Sequence, residues 1–348
     1  MDFGSHGFTV RLPDAAEPPL MSDQPAAGAR VVICIPVFND WPSAAIVIRC
    51  LDELAAEFSD RVTVVLVDDG STNDPPEKLP FEPRDLEGVV LVRLRRNVGH
   101  QRAIALGLAF IFDKVPCREV VVMDGDGEDL PEAISKLLDH GRQSTSPVIV
   151  FAQRGKRSEP LWFRMGYRAY RFVHYLLTGR TLEVGNFSVV PFSLLGRLMS
   201  VSEIWNHYAA AVFHARLPVA TLSVDRGRRL HGRSHMNPVA LVVHGLSAIS
   251  VFGDTVGVRI LMVLGVLMLL LTSGLVAVVY VRLFTSAAIP GWATTAAGIL
   301  ALLLMNLFSL AMMFVLFVTQ SRSNAQFLPI RDWRYFVDSH RWLCTRRV

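Results

Sequence analysis

Two long uncharged apolar stretches near the end of the chain constrain its fold more than any other feature. No charged residue occurs from 260 to 281 or from 283 to 321. Each stretch exceeds the roughly 20 apolar residues that an α-helix needs to cross a bilayer. A Pro-Gly turn at 290–291 lies between them. The sequence therefore predicts two transmembrane helices, at 258–283 and 293–319, joined as a hairpin.

The charges around this hairpin predict its orientation. Basic residues are numerous on both flanks, whereas the connecting loop holds only Arg282. Because Arg and Lys accumulate on the cytoplasmic side of membrane helices, we expect both flanks and both termini to be cytoplasmic. Residues 320–348 are expected to form a basic cytoplasmic C-terminal tail. Residues 236–257 are expected to form either a juxtamembrane amphipathic helix on the membrane surface or an ordinary packed helix.

The rest of the chain has a different character. Residues 1–29 are rich in Pro and Gly and lack the apolar core of a signal peptide, so a flexible N-terminal tail is expected. From 30 to 235, short β-rich runs alternate with segments of helical length, notably 41–58 and 99–112. The predicted strands are 31–37, 62–67, 89–94, 120–123, 148–151 and 220–224. This succession predicts a cytosolic α/β domain with a mainly parallel sheet.

Polar or acidic residues follow the first three predicted strands, where ligands of such sheets bind. The candidate nucleotide-binding residues are Pro36, Phe38, Asn39, Asp40, Asp68, Asp69, Asn97, Gly99 and Gln101. Each residue alone is weak evidence for a binding site, because a polar turn commonly follows a strand. Together they predict one ligand-binding rim, formed by the loops at the carboxyl ends of the strands. The sequence has neither a Gly-x-Gly-x-x-Gly motif after the first strand nor a Gly-x-x-x-x-Gly-Lys-Ser/Thr loop. This argues against a dinucleotide oxidoreductase or a P-loop nucleotidase.

The fourth predicted strand ends in a dense group of carboxylates. Asp124, Asp126, Glu128 and Asp129 lie within six residues, and the flanking apolar sequence contains nothing that neutralises them. A bound divalent cation is therefore expected. Carboxylate oxygens suit Mg²⁺ or Mn²⁺, and such a metal commonly carries a diphosphate. Gly125 would allow the backbone to turn sharply there. The alternative is an ordinary polar turn.

A basic and aromatic stretch follows the fifth predicted strand. Its arginines are Arg154, Arg157, Arg164, Arg168 and Arg171, of which the last three recur at helical spacing among Trp, Phe and Tyr residues. Arginine suits a phosphate and the aromatic side chains suit a membrane boundary. Attraction to anionic lipid is the alternative explanation. Because the basic residues cluster near the predicted membrane helices, lipid headgroups or phosphorylated substrates are favoured over nucleic acid.

Four motifs in this order resemble a known family. They are Ile-Cys-Ile-Pro-Val-Phe-Asn-Asp (33–40), Val-Asp-Asp-Gly-Ser-Thr (67–72), Asn-Val-Gly-His-Gln-Arg-Ala (97–103) and Asp-Gly-Asp-Gly-Glu-Asp-Leu-Pro-Glu (124–132). The chain resembles the family 2 glycosyltransferases, which have a GT-A fold, and within them the polyprenyl-phosphate glycosyltransferases of the dolichyl-phosphate mannosyltransferase and GtrB-like branch. The resemblance implies a metal-dependent, inverting transfer of one sugar from a UDP- or GDP-sugar to undecaprenyl, dolichyl or another polyprenyl phosphate. The implied location is the cytoplasmic face of a bacterial inner membrane.

The resemblance also implies roles for individual residues. Asp124, Asp126 and Glu128 would hold Mg²⁺ or Mn²⁺, with Asp126 as the main ligand. Asp124 and Gly125 would also touch the nucleotide or the sugar. Asp129 would act as a general base or would only orient the sugar or the helix that follows. The candidate catalytic residues are Asp126, Asp129, Arg154 and Arg157.

Two further motifs depart from the family pattern. Arg229, Arg233 and Ser234 lie in an Arg-x-x-Gly-x-Ser pattern, which implies a loop that closes over diphosphate or lipid phosphate, but His235 replaces the usual Lys. The candidate phosphate-binding residues are Arg154, Arg157, Arg164, Arg168, Arg229, Arg233 and Ser234. Asn186 occupies the Asp position of a Val-Gly-Asp-Phe motif, where it would contact the donor sugar with an amide oxygen.

Other functions are compatible with parts of the same pattern. A family 2 transferase acting on a lipid hydroxyl would need Asp129 or a neighbour as base. A polysaccharide synthase is disfavoured because the chain has no Gln-x-x-Arg-Trp motif and a single hairpin. A noncatalytic membrane scaffold that binds nucleotide-sugar would keep the same fold. Small residues in the first membrane helix, among them Gly265, Ser273 and Gly274, would allow the chain to form a homo-oligomer.

Overall fold

The structure is a computed structural model that describes residues 30–154, 161–181, 184–225, 227, 229–230, 238–286, 289–323 and 327–346. The predicted tail at 1–29 lies outside them. The strands are β1 (Arg30–Val37), β2 (Arg61–Asp68), β3 (Gly88–Leu94), β4 (Glu119–Val122), β5 (Ile149–Arg154), β6 (Ser188–Pro191), β7 (Val219–Val224) and β8 (Val337–Thr345). The helices are α1 (Trp41–Ala55), α2 (His100–Lys114), α3 (Ala133–Arg142), α4 (Leu161–Thr178), α5 (Phe192–Met199), α6 (Tyr208–His214), α7 (Pro238–Ser250), α8 (Gly253–Phe284), α9 (Trp292–Ser323) and α10 (Pro329–Phe336).

All eight strands described form one sheet, in the order β7-β5-β6-β4-β1-β2-β3-β8. The pairs β1-β2, β1-β4, β2-β3 and β5-β7 are parallel. The pairs β3-β8, β4-β6 and β5-β6 are antiparallel. The predicted α/β fold and its six predicted strands are therefore confirmed, and the sheet is mixed because β6 and β8 run against their neighbours.

Two hydrophobic layers cover the sheet, one on each face. In β1, Val32 and Cys34 face the layer built by α2, α5 and α6, whereas Ile33 and Ile35 face the layer built by α1 and α3. Because successive side chains of a strand point to opposite faces, a strand covered on both faces is apolar along its whole length. This explains why the central strands were visible in the sequence as uninterrupted apolar runs.

Helix α3 begins shortly after the acidic run and is anchored at its end by Arg142. The guanidinium of Arg142 contacts the buried carboxylate of Asp60 and lies 2.5 Å from Glu119 Oε2. Glu119 begins β4, the strand that leads into the acidic run. A buried ion pair that loses one partner leaves an uncompensated charge in the interior, so this contact fixes α3 against the edge of β4.

The predicted C-terminal tail at 320–348 is wrong for most of its length. After α9, the chain forms α10 and then β8, which pairs with β3 along its length, from Thr345 opposite Gly88 to Val337 opposite Leu94. The Trp333 ring of α10 is buried against Phe110 of α2, with ring centroids 5.6 Å apart. Basic residues suggested a solvated tail, and most side chains of β8 are indeed exposed, but Val337 and Leu343 are buried against the two faces of the sheet.

Helices α8 and α9 are each long and apolar enough to cross a membrane. The predicted spans 258–283 and 293–319 fall inside these two helices. The predicted juxtamembrane helix at 236–257 ends earlier than expected, because α7 stops at Ser250 and α8 already begins at Gly253. Between them, Val251 and Phe252 are buried against α6, which breaks the helix at that point.

Helix α6 is capped by a buried histidine, His207, whose Nδ1 accepts the N–H of Ala210. Its ring lies 4.7 Å from the ring of His244 in α7. Burial, with smaller contributions from His244, His174 and His100, lowers the pKa of His207 from 6.5 to about 3. The folded protein therefore keeps this ring neutral under conditions in which the unfolded chain protonates it.

We expect acid to destabilise the protein through His207. Because the folded pKa is lowered, its contribution to stability is complete above pH 6.5 and is lost as the pH falls from 6.5 towards 3. The loss approaches about 1.4 kcal/mol per pH unit. His207→Asn keeps a capping oxygen and should flatten this slope, measured by denaturant unfolding in detergent between pH 7 and 5. Equal slopes in the wild type and the variant would contradict this account.

Candidate functional site

The candidate site lies at the carboxyl ends of β1, β2, β3 and β4, where four loops meet. Asn39 ties the first two loops together in a left-handed conformation, with φ at 53°. Its Oδ1 accepts the backbone N–H groups of Thr72 and Asn73 at 2.9 and 3.1 Å. Ser71 Oγ in turn accepts the N–H of Asn39. These contacts hold the loop after β2 beside the loop after β1, and both loops contain residues that were predicted to contact the nucleotide.

Two adjacent aspartates after β2 have different surroundings. Asp69 accepts the N–H groups of Val98 and Gly99 at 2.7 and 3.0 Å, so it holds the loop before α2 in place. Burial raises the pKa of Asp69. This loop lies very close to the loop after β2, since a Cβ on Gly70 would be 2.4 Å from the backbone nitrogen of Asn97. Asp69 is thus a residue that positions the rim predicted from the sequence.

Asp68 is buried and one of its oxygens is engaged locally. Oδ1 accepts the N–H of Ser71 at 2.8 Å. Oδ2 is buried and, among the described residues, has no hydrogen-bond partner. The guanidinium of Arg93 lies 3.7 Å from it, at the wall of a polar cleft lined by Gly70, Ser71, Arg93, Arg95, Arg96 and Asp338. Asp68 itself is buried behind this wall, whereas the arginines of the cleft offer donors to a ligand.

Residues 124–129, called the acid loop below, form a tight turn after β4. Asp129 Oδ2 accepts the N–H of Asp124 at 2.9 Å, and Asp126 Oδ1 accepts the N–H of Glu128 at 2.9 Å. Gly127 has φ at 82°, a conformation that favours glycine. Asp129 is buried. Its carboxylate braces the loop, and its two predicted roles, as a general base or in orienting the sugar or the following helix, stay predictions.

A segment after β7 lies directly on the acid loop. The N–H of Gly227 donates to Glu128 O at 2.9 Å, and the N–H of Leu230 donates to Asp126 O at 3.0 Å. Arg229 lies between two carboxylates, 3.4 Å from Asp126 Oδ2 and 3.6 Å from Asp40 Oδ2. The three residues Gly227, Arg229 and Leu230 are called the strap below. The Leu230 side chain of the strap lies against Gly127, where it leaves no room for a Cβ.

His100, at the first position of α2, is a site residue that the sequence analysis did not select. Its Nε2 lies 3.1 Å from Asp124 Oδ1 and 3.1 Å from Asn186 Nδ2. Partial burial lowers the pKa of His100, but the carboxylates of Asp124, Asp69 and Asp126 outweigh it and the net shift is upward. The signal in the sequence was its place directly after Gly99, at the N-terminus of a helix beside the rim.

Both predicted amide contacts, Gln101 and Asn186, belong to one hydrogen-bond chain. The N–H of Tyr208 donates to Gln101 Oε1 at 2.7 Å, and Gln101 Nε2 donates to Asn186 Oδ1 at 3.0 Å. Because a backbone N–H can only donate, the direction of this chain is fixed. The amide of Asn186 therefore presents its oxygen to Gln101 and its nitrogen to His100. Its predicted contact with the donor sugar remains a prediction.

The predicted phosphate-binding arginines are placed only in part. In α4, Arg168 is exposed and Arg171 is half-buried. Arg157, Arg233 and Ser234, together with the side chains of Arg154 and Arg164, lie outside the described residues. Among the described residues of this predicted group, Arg229 alone contacts the acid loop. Pro36 and Phe38, predicted to contact the nucleotide, lie at the same edge, and the Phe38 ring is half exposed.

The predicted three-carboxylate metal site is not assembled. Among the residues that the structure describes, no three His, Cys, Asp or Glu side chains are grouped so that they could hold a metal ion. Mg²⁺ often binds through one or two carboxylates and takes its other ligands from phosphate and water. Asp124 and Asp126 fit that donor set, and the guanidinium of Arg229 already places a positive charge beside Asp126. The acid loop therefore suits a cation that arrives with a diphosphate.

Polar and acidic loops collected at the carboxyl ends of parallel strands, with helices on both faces of the sheet, are typical of α/β proteins that bind a ligand at this edge. The chain belongs to glycosyl transferase family 2, whose model matches residues 32–205. The family resemblance seen in the four motifs is confirmed, and the protein is a glycosyltransferase.

Several relatives carry specific names. An undecaprenyl-phosphate 4-deoxy-4-formamido-L-arabinose transferase of Pseudomonas savastanoi pv. phaseolicola is 26% identical over 244 residues, which cover 69% of this chain and 70% of the relative. A protein of the same name from Pseudomonas aeruginosa is 31% identical over 150 residues, 43% of this chain and 42% of the relative. An uncharacterised glycosyltransferase of Bacillus subtilis, YkcC, is 24% identical over 276 residues, 75% and 80% of the two chains.

Solved structures show a more distant likeness. Glucosyl-3-phosphoglycerate synthase of Mycobacterium tuberculosis, in complex with Mn²⁺, UDP-glucose and phosphoglyceric acid, matches with a TM-score of 0.47 and 15% identity over 66% of this chain and 80% of that one. Mannosyl-3-phosphoglycerate synthase of Rubrobacter xylanophilus matches with a TM-score of 0.46 and 12% identity, over 65% and 74%. Similarity of this size does not extend to the substrate or the metal.

Proposed function

We propose that this protein transfers one sugar, with inversion, from a UDP- or GDP-sugar to a polyprenyl phosphate at the cytoplasmic face of a membrane. The observation that carries the proposal is the insertion of two membrane-length helices between two strands of one sheet. Helices α8 and α9 lie between β7 and β8 in sequence, and both strands belong to the sheet that bears the acid loop. Relatives named as undecaprenyl-phosphate sugar transferases support the same class of acceptor.

This insertion is the physical basis for the proposed topology. The chain leaves the catalytic sheet before α8 and returns to it after α9, so both ends of the hairpin are tied to one folded domain. Because this domain lies on one side of the membrane, both flanks of the hairpin must lie on that same side. The basic residues of both flanks favour the cytoplasmic side.

Two further helices fit a position at the membrane surface. Helix α4 contacts α7 through Tyr170, whose hydroxyl donates to Gly245 O, and it contacts α8 through Arg259, which donates to Leu176 O at 2.7 Å. Both α4 and α7 expose large apolar side chains, each more than half exposed: Phe172, Tyr175, Leu176, Val242, Val243 and Leu246. Apolar faces beside membrane helices suit the interfacial region of a bilayer, where a polyprenyl phosphate presents its headgroup.

The donor fits the strand-end loops. The cleft beside Arg93 would receive the base or ribose, with the buried Asp68 behind Arg93, and the diphosphate would lie towards the acid loop. A divalent cation bound there would neutralise the leaving diphosphate, and Asp124 and Asp126 are the residues that would hold it. The position of Asn186 beside His100 and Gln101 closes the site on the side of α2.

The proposed reaction needs no strong base. A phosphate oxygen of the acceptor attacks the anomeric carbon, a carbon–oxygen bond forms, and the bond to the nucleoside diphosphate breaks. Because the attacking oxygen is already anionic, no proton has to be removed. The bracing contact of Asp129 with the N–H of Asp124 agrees with this, whereas transfer to a lipid hydroxyl would require a base.

The test uses the full chain in detergent micelles with radiolabelled nucleotide sugars, including UDP-glucose, UDP-N-acetylglucosamine and GDP-mannose. Each donor is offered with undecaprenyl phosphate or with undecaprenol, which lacks the phosphate. We expect one donor to give solvent-extractable labelled lipid with undecaprenyl phosphate alone, and EDTA to abolish the product. Label on undecaprenol would favour the hydroxyl alternative. No labelled lipid from any donor in a broad panel would contradict the proposal.

A further inference from the structure

The strap is attached to the acid loop by contacts that are independent of its charge. Two backbone hydrogen bonds join them, from Gly227 to Glu128 and from Leu230 to Asp126. The fit is tight, because a Cβ on Gly227 would lie 2.4 Å from Gly127 O. The Leu230 side chain also lies against Gly127. These contacts hold Arg229 in one place rather than leaving it as a long side chain in solvent.

The position of Arg229 overlaps with that of a bound cation. Its two terminal nitrogens reach Asp126 and Asp40, which follow different strands and are brought together at the carboxyl edge of the sheet. Asp126 faces Arg229 with Oδ2, whereas its Oδ1 accepts the N–H of Glu128. An oxygen that contacts a guanidinium cannot at the same time bind a divalent ion at about 2.1 Å without forcing the two cations together.

We propose that the strap provides an internal counter-ion for the acid loop. When the donor site is empty, the strap holds Arg229 against Asp126 and Asp40. When the metal binds with the nucleotide, it displaces Arg229 from these carboxylates. This inference rests on the proposed function, because it concerns the metal and diphosphate of the same site. Arg229 released from the carboxylates is then a positioning residue for the anionic phosphates that arrive. The charge of the acid loop is thereby balanced both before and after the donor binds.

A measurable consequence follows from the competition. If the seated strap is the major state, the apparent dissociation constant of the metal is raised by the inverse of the fraction of open molecules. A change that lifts the strap without altering any charge should therefore tighten metal binding. Simple removal of a positive charge would also tighten it, so variants of Arg229 alone would not separate the two explanations.

Gly227→Ala is the charge-neutral test. The added methyl would meet the backbone oxygen of Gly127 at 2.4 Å and the Leu130 side chain at 2.8 Å, so the strap can no longer seat. Mn²⁺ binding to the full chain in detergent is followed by the electron paramagnetic resonance signal of free Mn²⁺, with and without UDP. We expect about tenfold tighter Mn²⁺ binding in the variant. Gly298→Ala, where nothing lies within 4 Å of the new methyl, is the matched control and should bind as the wild type does.

Leu230→Pro provides a second charge-neutral disruption, because proline removes the N–H that Asp126 O accepts. Hydrogen exchange of residues 227–230 reports in each variant whether the strap has left the acid loop. Tighter Mn²⁺ binding in both variants would support the proposed displacement of Arg229 by the metal. Unchanged affinity in both, with raised hydrogen exchange in the strap, would overturn it.

The outcome is separable from that of the proposed function. If lipid product forms normally in EDTA and the wild type binds no Mn²⁺, the displacement of Arg229 by a metal is refuted, whereas the proposed transfer to lipid is supported. If the strap variants bind Mn²⁺ more tightly but no donor gives labelled lipid, the displacement is supported and the lipid acceptor is refuted.

Discussion

Asp126→Asn is expected to lower the rate of sugar transfer by about 10²–10³-fold, the range found when one electrostatic stabiliser is removed from an active site. The substitution is conservative in structure. The Asn oxygen can still accept the N–H of Glu128, so the acid loop keeps its internal hydrogen bond. The anionic Oδ2 that faces Arg229 is lost. The expected defect therefore lies in charge at the diphosphate, not in folding.

The measurement is the initial rate of labelled lipid formation at saturating acceptor, with the donor that the wild type accepts. Asp139→Asn, an exposed carboxylate in α3, serves as the control and should keep the wild-type rate. A rate for Asp126→Asn within a factor of three of the wild type would mean that the acid loop does not act on the leaving group.

Asp129→Asn gives a contrast within the same loop. Its amide oxygen can replace Oδ2 as acceptor of the Asp124 N–H, so the brace persists without a titratable carboxylate. If Asp129 only braces the loop, the rate should fall by less than about tenfold, which is smaller than the loss expected from removing a general base. A loss as large as that of Asp126→Asn would instead assign a base to this position and favour a hydroxyl acceptor.

The parts of the fold that could be predicted are those whose causes are local in sequence. Strands β1, β2, β3 and β4 are covered on both faces, so each appears as a continuous apolar run. The acid loop was visible because charge follows directly after such a run. Helices α8 and α9 were visible because crossing a bilayer demands length and apolarity together. In each case the residues of a single segment are enough to predict its structure.

The parts that could not be predicted depend on contacts between distant segments. Asn39 and Asp69 were selected as nucleotide contacts, but their side chains are engaged by backbone N–H groups of neighbouring loops. His100 lies inside the 97–103 motif, but its place beside Asp124 follows from the packing of α2 on β1 and from the pairing of β1 with β4. Arg229 reaches the acid loop because β7 ends beside it, a position fixed by pairing with β5. The positions of these residues along the sequence do not reveal that their side chains are close in space.

The C-terminal segment shows the same limit on a larger scale. Strand β8 has a mostly exposed face and basic residues, as expected of a tail, and only its pairing with β3 makes it a strand. Its partner lies on the other side of the membrane hairpin in sequence. A segment of this kind contributes stability through a few buried anchors, and Trp333 is the largest of them in α10.

Trp333→Ala is therefore expected to destabilise the catalytic domain by about 3–5 kcal/mol, the usual cost of emptying a buried aromatic site. Trp333 is 5% exposed and meets Phe110 of α2 edge to face, so its loss opens a cavity between the C-terminal segment and the helix that bears His100. Urea unfolding at fixed detergent concentration, followed by far-ultraviolet circular dichroism, measures the change.

Tyr335→Ala is the matched control for Trp333→Ala, two residues further along the same helix. Tyr335 is 76% exposed, and removal of its ring should change stability by no more than about 0.5 kcal/mol. If the two variants unfold at the same urea concentration, α10 does not pack on α2, and residues 329–345 behave as the tail that their charges suggested. If Trp333→Ala alone is destabilised, the membrane hairpin is an insertion within the catalytic domain, and the sheet is complete only after the chain has returned from the membrane.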